Sequence, residues 1–401
     1  MKTLKEIIGP LTFWKTIMFI LIGLMIYSGI YRFYYGLGAA TNLSDTFPWG
    51  IWIGFDLLSG VALAAGGFML VTIVYIFNLK KFRPIIRPAI LTAFLGYILA
   101  VTGLIFDLGR PDRIWHPIIM WNPRSVMFEV AWCVILYNTV LFLEFIPAVF
   151  EKFRLKRPLQ IIKSITIPLV ILGVILSTLH QSSLGSLYLI VPHLLHELWY
   201  TPLLPVMFFI SAAAVGLAMV TFESFLSKRA FNKHLKMDIL VPMARVLAVI
   251  LLIYGLLKVY DLVARGAFAS AFTFSMESSL FQAEMIIGVL IPIVLLFIRK
   301  FRTSEKSLFW ISFMVVIGVI INRMNVTVTG IQAGIATETY FPSWMEISIT
   351  MGLVATGFGV FGLVVKYFPI FEHHGEPKPL LETHQEQERD QFSDGTIRIT
   401  S

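Results

Sequence analysis

Two carboxyls and one imidazole, Asp56, Asp107 and His180, stand inside long apolar stretches of this 401-residue chain. These side chain types can move protons. An imidazole titrates near neutral pH, and a carboxyl whose pKa is shifted by its surroundings does the same. A charge in hydrocarbon costs at least ~2.5–3.5 kcal/mol on insertion scales, so ionisable groups that persist there face protein and mark a site. Gln181 adjoins His180, and Glu129 lies at the start of another apolar stretch. Lys258, Asp261, Glu277, Glu284, Asn322, Arg323 and Glu346 fall in the same half of their stretches as Asp56, whereas only Glu144, Glu223 and Arg245 reach comparable depth from the other end. At 1.5 Å per helical residue, Asp56 is expected about 10 Å below its helix end, a depth reachable from lipid. Around Asp107-Leu-Gly-Arg110-Pro111 the expectation is a helix end, a proline turn and a local Asp107–Arg110 ion pair. Lys258 and Arg323 are expected to pair with carboxylates. Asp261, Glu277 and Glu346 are placed close enough to helix ends to reach the interface.

The elements that must position these groups are membrane helices. Of the residues 57% are hydrophobic and 14% charged, well short of the roughly 25% charge of soluble domains. The net charge of +8 is carried in short runs between apolar segments, which orients a membrane protein and does not point to nucleic acid. Ten segments reach the ~20 residues a crossing needs: 11–34, 50–78, 88–107, 126–150, 162–183, 203–225, 238–264, 277–298, 306–327 and 343–367. The fold class is therefore all-α and polytopic, with an integral membrane domain over 1–367 and a polar cytoplasmic tail over 368–401.

Connecting loops alternate in charge. One side holds Lys80, Lys81, Arg83, Arg87, Lys152, Arg154, Lys156, Arg157, Lys163, Lys228, Arg229, Lys233, Lys236, Arg299, Lys300, Arg302 and Lys306, against Arg110, Arg113, Arg124 and Arg265 on the other. The rich side is cytoplasmic by the positive-inside rule, which places both termini there and the acidic cluster near the outer face. The first apolar stretch has lysines ahead of it and no small-residue cleavage site after it, so it is expected to remain as a helix. Outer loops at 108–125 and 184–202 are longer than a tight connection needs, which fits docking of a partner. Trp49, Trp52, Trp115, Trp121, Trp199 and Trp344 are expected to form an outer aromatic belt. Small residues four apart, Gly60 with Ala64, Ala62 with Gly66, Ala212 with Gly216 and Ala355 with Gly359, point to close helix packing. A single cysteine, Cys133, holds no iron–sulfur cluster and no structural zinc. His180 is the one histidine inside a span, so two axial ligands for a b-type haem are lacking, and no metal site is expected.

Phe47-Pro-Trp-Gly-Ile-Trp-Ile-Gly-Phe-Asp56 resembles the start of the second span in the NrfD-like, or polysulfide-reductase membrane-subunit, family. Arg87-Pro-Ala89, Asp107-Leu-Gly-Arg-Pro111, Ser125-Val-Met-Phe-Glu129, Leu143-Glu-Phe145, Thr178-Leu-His-Gln-Ser-Ser-Leu-Gly-Ser186 and Tyr340-Phe-Pro-Ser-Trp344 followed by Glu346 extend the resemblance over about residues 30–365. It is closest to the HybB-type hydrogenase and high-molecular-weight cytochrome complex membrane subunits. The 108–124 loop departs from the hydrogenase branch toward the cytochrome-complex branch. The resemblance implies two four-helix bundles with flanking helices and no redox cofactor of the chain's own. It implies an exchangeable menaquinone and an iron–sulfur ferredoxin-like subunit on the outer face, with multihaem cytochrome c or hydrogenase subunits beyond it. Asp56, Asp107 and His180 then become the proton-transfer candidates. Arg110, Glu129 and Gln181 complete a quinone site, and Glu129, Glu144, Glu223 and Arg245 trace a path for protons. A secondary transporter and a passive membrane anchor are the rival readings. Mostly unbroken spans, with polar groups crowded at one end, favour the quinone reading over the transporter. Glu346→Gln is expected to be mild.

Overall fold

In a computed structural model, residues 12–231, 235–335 and 339–371 are described. Among them all regular structure is helical, and ten helices are long and apolar enough to cross a membrane: α1 (Phe13–Tyr35), α2 (Trp52–Ile76), α3 (Lys81–Asp107), α4 (Val126–Lys152), α5 (Thr166–Ile190), α6 (Leu204–Phe231), α7 (Met237–Ala264), α8 (Met276–Phe297), α9 (Glu305–Ile335) and α10 (Trp344–Tyr367). Apolar runs of this length become helices because lipid offers no partner for backbone N–H and C=O groups. Serines set several starts. Ser125, Ser275, Ser304 and Ser343 each accept a bond from the amide three residues on, capping α4, α8, α9 and α10.

Helices α2–α5 form one four-helix bundle and α6–α9 a second; α1 pairs with α10, and α10 packs on α3. The bundles meet through α2 and α6, whose apolar windows are each 72% buried, against 11% for α1. Their contact needs glycine. A Cβ on Gly66 would lie 2.9 Å from the Gly216 carbonyl oxygen, and one on Gly216 would lie 2.8 Å from the backbone of Ala65. The small-residue spacing thus brings α2 and α6 backbone to backbone. Connections 36–51, 108–125, 191–203 and 265–275, with the segment leading into α10, share one side, here the loop face; the basic connections share the other, the basic face.

Several expectations are corrected. Helix α5 does not stop near 183 but runs on through a tight final turn to Ile190, so the connection expected at 184–202 shrinks to 191–203. The spans are less regular than expected. Helix α2 contains wide π-helical turns at Trp52–Ser59 and Thr72–Ile76, α8 one at Ile286–Leu290 and α9 one at Asn325–Thr329. Such turns free a backbone carbonyl and mark buried polar positions; in α2 the Ser59 hydroxyl occupies the Gly54 carbonyl at 2.8 Å. Trp52 and Trp199 leave the aromatic belt. Both are fully buried, their indole N–H groups donating to the Glu346 carbonyl oxygen and the Glu284 carboxylate. Trp115, Trp121 and Trp344 do stand exposed. The chain packs beyond α10 as well, since Ile370 is buried and Arg87 donates to the Pro369 carbonyl oxygen at 3.0 Å. The rest of the expected tail, like Lys233, lies outside the described residues.

Candidate functional site

Asp56 sits in the first π-helical turn of α2, about 6 Å from the loop-face end of that helix. It is buried, and the Thr350 hydroxyl of α10 donates to Asp56 Oδ2 at 2.6 Å. Gly103 of α3 lets the carboxyl be covered, because a Cβ there would come within 2.7 Å of the Asp56 Cβ. Asp56 faces a cavity of about 410 Å³ between α2, α3, α6 and α10. Its walls are almost wholly apolar, with Leu99, Met219, Leu353 and Phe358 among them. Asp56 stands on its wall toward the loop face, and Thr92, Glu223 and Ser227 stand toward the basic face. The Thr92 hydroxyl donates to Glu223 Oε2 at 2.7 Å, while Glu223 Oε1 is buried without a partner in the protein. Two carboxyls therefore border one apolar space that reaches across much of the membrane's thickness.

Asp107 ends α3, half-buried, and its Oδ1 has no hydrogen-bond partner. The expected Asp107–Arg110 pair is absent. Arg110 is exposed and forms a two-pronged pair with Asp112, at 2.9 and 3.0 Å, which holds the Asp112 carboxyl below its usual pKa range. The proline turn carries Arg110 away from the bundle. The charges that reach Asp107 are Glu346 of α10 and Arg32 of α1. Arg32 is buried and caps α3 by donating to the carbonyl oxygens of Phe106 and Leu108. Nor does Glu346 reach the interface. It is fully buried and accepts from Tyr340 Oη at 2.6 Å, Ser343 N at 2.8 Å and Asn42 N at 3.0 Å. Burial, with that bond to Glu346, pushes the Tyr340 hydroxyl pKa up. The loop-face cluster is thus built from α1, α2, α3 and α10, and Glu346 ties the entry segments of α2 and α10 together. Glutamine would leave one oxygen to accept where the carboxylate accepts three bonds on two, so Glu346 is a structural junction and not a side chain that reaches the interface.

His180 belongs to a different place. With α5 extended to Ile190, it lies ten residues, about 15 Å, below the loop face, near mid-membrane. It is fully buried and packs beside Tyr97 of α3, ring centres 5.5 Å apart. Gln181 donates to the Val61 carbonyl oxygen of α2 at 3.0 Å, whereas Asp56, Gly60 and Ala64 of α2 line the apolar cavity. Asp56 and His180 meet α3 at Gly103 and Tyr97, about 9 Å apart along its axis. The sequence expectation of one headgroup-level cluster holding both is corrected to two sites at two depths. Glu129 is exposed in the first turn of α4, and Arg245 is exposed on α7. Neither faces the cavity or the His180 group, so only Glu144, half-buried on α4, and Glu223 remain of the expected proton path.

The second bundle carries its own polar core. Glu284 Oε1 accepts from Asn322 at 2.8 Å, and Oε2 accepts from Trp199 at 3.0 Å and Asn325 at 3.1 Å. Lys258 lies 4.0 Å from Glu284, and Arg323 stacks 3.6 Å over Phe208 while donating to Ser211 at 2.8 Å. Asp261 accepts from Thr201 at 2.6 Å and from Arg265 at 2.7 Å. The pairing expected for Lys258 is present; Arg323 is held by amide, hydroxyl, carbonyl and ring contacts instead of a carboxylate. Every polar atom of Glu284 is occupied from within, which marks a lock and not an open site. Among the described residues no group of three or more His, Cys, Asp or Glu is arranged to hold a metal ion.

Sequence reading passed over Arg32, Thr350, Tyr97 and Tyr137. Arg32 carried a usable signal, a cation near the loop-face end of the first apolar stretch, far from Lys15 at its start. The hydroxyl residues carried none, because such residues are common on membrane helices and only packing brings them to a carboxyl or an imidazole.

Comparison with known proteins places this arrangement. The chain is 39% identical over 361 residues to a protein of Nitratidesulfovibrio vulgaris, covering 87% of this chain and 92% of that one. It is 33% identical over 344 residues to the probable Ni/Fe-hydrogenase 2 b-type cytochrome subunit of Escherichia coli K12, covering 84% and 87%. To the menaquinone reductase integral membrane subunit of N. vulgaris it is 28% identical over 392 residues, covering 90% and 92%. The model of the family described as polysulphide reductase, NrfD, matches residues 39–336, which take in both four-helix bundles. This multi-pass membrane protein, with its paired bundles and its buried acidic cluster, therefore belongs to the NrfD family.

Proposed function

We propose that the chain is the quinone-reactive membrane subunit of a respiratory redox complex, exchanging electrons between menaquinone or menaquinol and an iron–sulfur subunit docked on the loop face. The observation that carries this reading is the apolar cavity of about 410 Å³ with the Asp56 carboxyl on its wall. That volume lies within the range of small-molecule sites. A quinone offers a flat apolar ring, two carbonyl acceptors and a hydrocarbon tail, and the walls suit the ring and tail. Asp56, turned by Thr350, is placed to donate to one carbonyl and to pass it a proton as electrons arrive; Asp107 stands nearer the face where they would enter. Glu223, held by Thr92 toward the basic face, is placed to resupply that proton. The menaquinone reductase relative supports the choice of quinone, and the hydrogenase relative supports membership of a multisubunit redox complex.

The complex purified with this chain should reduce or oxidise a short-tailed menaquinone analogue, and the same partners without it should not. Equal turnover without the chain would reduce it to an anchor. A transporter would instead move a solute with no redox partner present.

Two further outcomes follow. No second histidine stands in a described span to share a haem with His180, so the purified chain alone should show no Soret absorption; a stoichiometric b-type spectrum would contradict entry of electrons from a partner. The loop face should be the outer side of the cytoplasmic membrane, with residues 368–401 a cytoplasmic tail. Reporter fusions after residues 85 and 370 should both read as cytoplasmic, and a periplasmic signal from either would reverse the orientation.

A further inference from the structure

The apolar cavity has a floor, two banks and two unlike ends. Helices α2 and α3 form the floor, where Gly60 and Gly96 offer no side chain to fill the space. Helix α6, with Val316 of α9 beside it, forms one bank, and α10 forms the other. The banks are held by different neighbours. Helix α6 packs on α2, α5, α7 and α9, whereas α10 packs on α1 and α3.

Toward the loop face the space is blind. Asp56 is buried there under the Thr350 hydroxyl, and Leu353 beside it is buried too. Toward the basic face it meets the lipid. A residue that lines the space and is also exposed marks where the two join. Phe358 of α10, 61% exposed, and Ala230 of α6 both do so. Phe358 stands eight residues, about 12 Å, farther from the loop face than Thr350. Ala230 is next to the last residue of α6. Just past this opening the banks touch, where the Phe231 ring of α6 comes within 6.3 Å of the Phe361 ring of α10. The polar end of the space is therefore closed, and the apolar end opens sideways between two helices.

A space of about 410 Å³ takes a quinone ring with a short tail. A long isoprenoid tail overfills it and must leave through the opening. We infer that the cavity takes a long-tailed isoprenoid quinone from the leaflet on the basic side, with the ring seated at Asp56, the tail leaving between Ala230 and Phe358, and Phe231 and Phe361 as the edge of that mouth. This entry route rests on the proposed quinone function and adds the leaflet and the tail class to it. Lipid is as apolar as the walls, so the tail gains no hydrophobic drive by entering. Recognition at the mouth is steric, and a change in its width acts on a long tail more than on a short one.

Two quinones with one ring separate the mouth from the site. The complex reconstituted in liposomes is given either a menaquinone with a long isoprenoid tail or an analogue with the tail cut short. Ala230→Trp narrows the mouth from an exposed position, so no packed residue has to move. The ratio of kcat/KM for the long-tailed to the short-tailed quinone should fall about tenfold. Should that variant fail to assemble, Phe361→Ala decides: it removes the ring contact with Phe231 and should raise the ratio. Val294→Trp, on the exposed side of α8, places the same bulk in the lipid belt away from the mouth and should leave the ratio as it is. An unmoved ratio in the deciding variant would overturn the mouth, and so would an equal fall in Val294→Trp. Either result with normal short-tailed turnover removes the mouth and leaves the quinone reading standing. A wild-type complex that turns over neither quinone would sink that reading, and the entry route with it.

Discussion

Asp56→Asn should lower electron transfer to a quinone analogue by about 10²–10⁴-fold, the usual contribution of a positioned proton donor, while the complex still assembles. Asparagine has the size of aspartate and accepts the Thr350 hydroxyl equally well, so α2, α3 and α10 keep their packing. What is lost is a titratable proton on the cavity wall. Steady-state turnover with the analogue in excess, set beside the yield of intact complex, measures this. Full turnover in the variant would move the chemistry elsewhere in the molecule. His180→Ala probes a different step, because His180 lies on the far side of α2 from the cavity.

Glu284→Ala should be the most destabilising single change in the second bundle, costing about 3–5 kcal/mol, the range for removing one partner of a buried ionic network. The carboxylate takes hydrogen bonds from Trp199, Asn322 and Asn325 and faces Lys258 at 4.0 Å. Removing it leaves a buried ammonium and three buried donors unanswered, and frees the 191–203 connection that Trp199 anchors. Thermal unfolding of the purified chain in detergent should show a clear drop in midpoint. Glu284→Gln, which keeps an acceptor but not the charge, should fall between. An unchanged midpoint in the alanine variant would mean that the network does not hold the bundle.

Ten spans and their rough limits were legible because lipid imposes length, apolarity and internal hydrogen bonding on every crossing segment, and composition records all three. That Gly66 and Gly216 sit at close helix contacts was legible for a similar reason, since small residues four apart are a packing code; that they face each other was not. The candidate site was legible only in part. Asp56 declared itself, a short carboxyl too deep to reach water. Its neighbours did not, because Thr350 and Gly103 are 294 and 47 positions away in the chain and nothing local ties them to it. Arg110 misled: proximity in sequence to Asp107 suggested a pair, but the turn at Pro111 sends it to Asp112, and the cation whose charge reaches Asp107 is Arg32, 75 positions before Asp107, which itself bonds to the Phe106 and Leu108 carbonyls. His180 was set too shallow because the Ser182–Ser186 stretch reads as a helix exit. Each of those serines bonds back to a helix carbonyl where its hydroxyl is placed to do so, so α5 continues.

The central claim is that the quinone ring occupies the Asp56 cavity, and photoaffinity labelling tests it most directly. A short-tailed azido-quinone, irradiated with the purified complex and mapped by peptide mass spectrometry, should mark α10 around Leu353–Phe358 and α3 around Leu99, with labelling competed away by unmodified menaquinone analogue. Competable labelling confined to α8 and α9, around Glu284 and Arg323, would contradict the account and place the quinone in the second bundle.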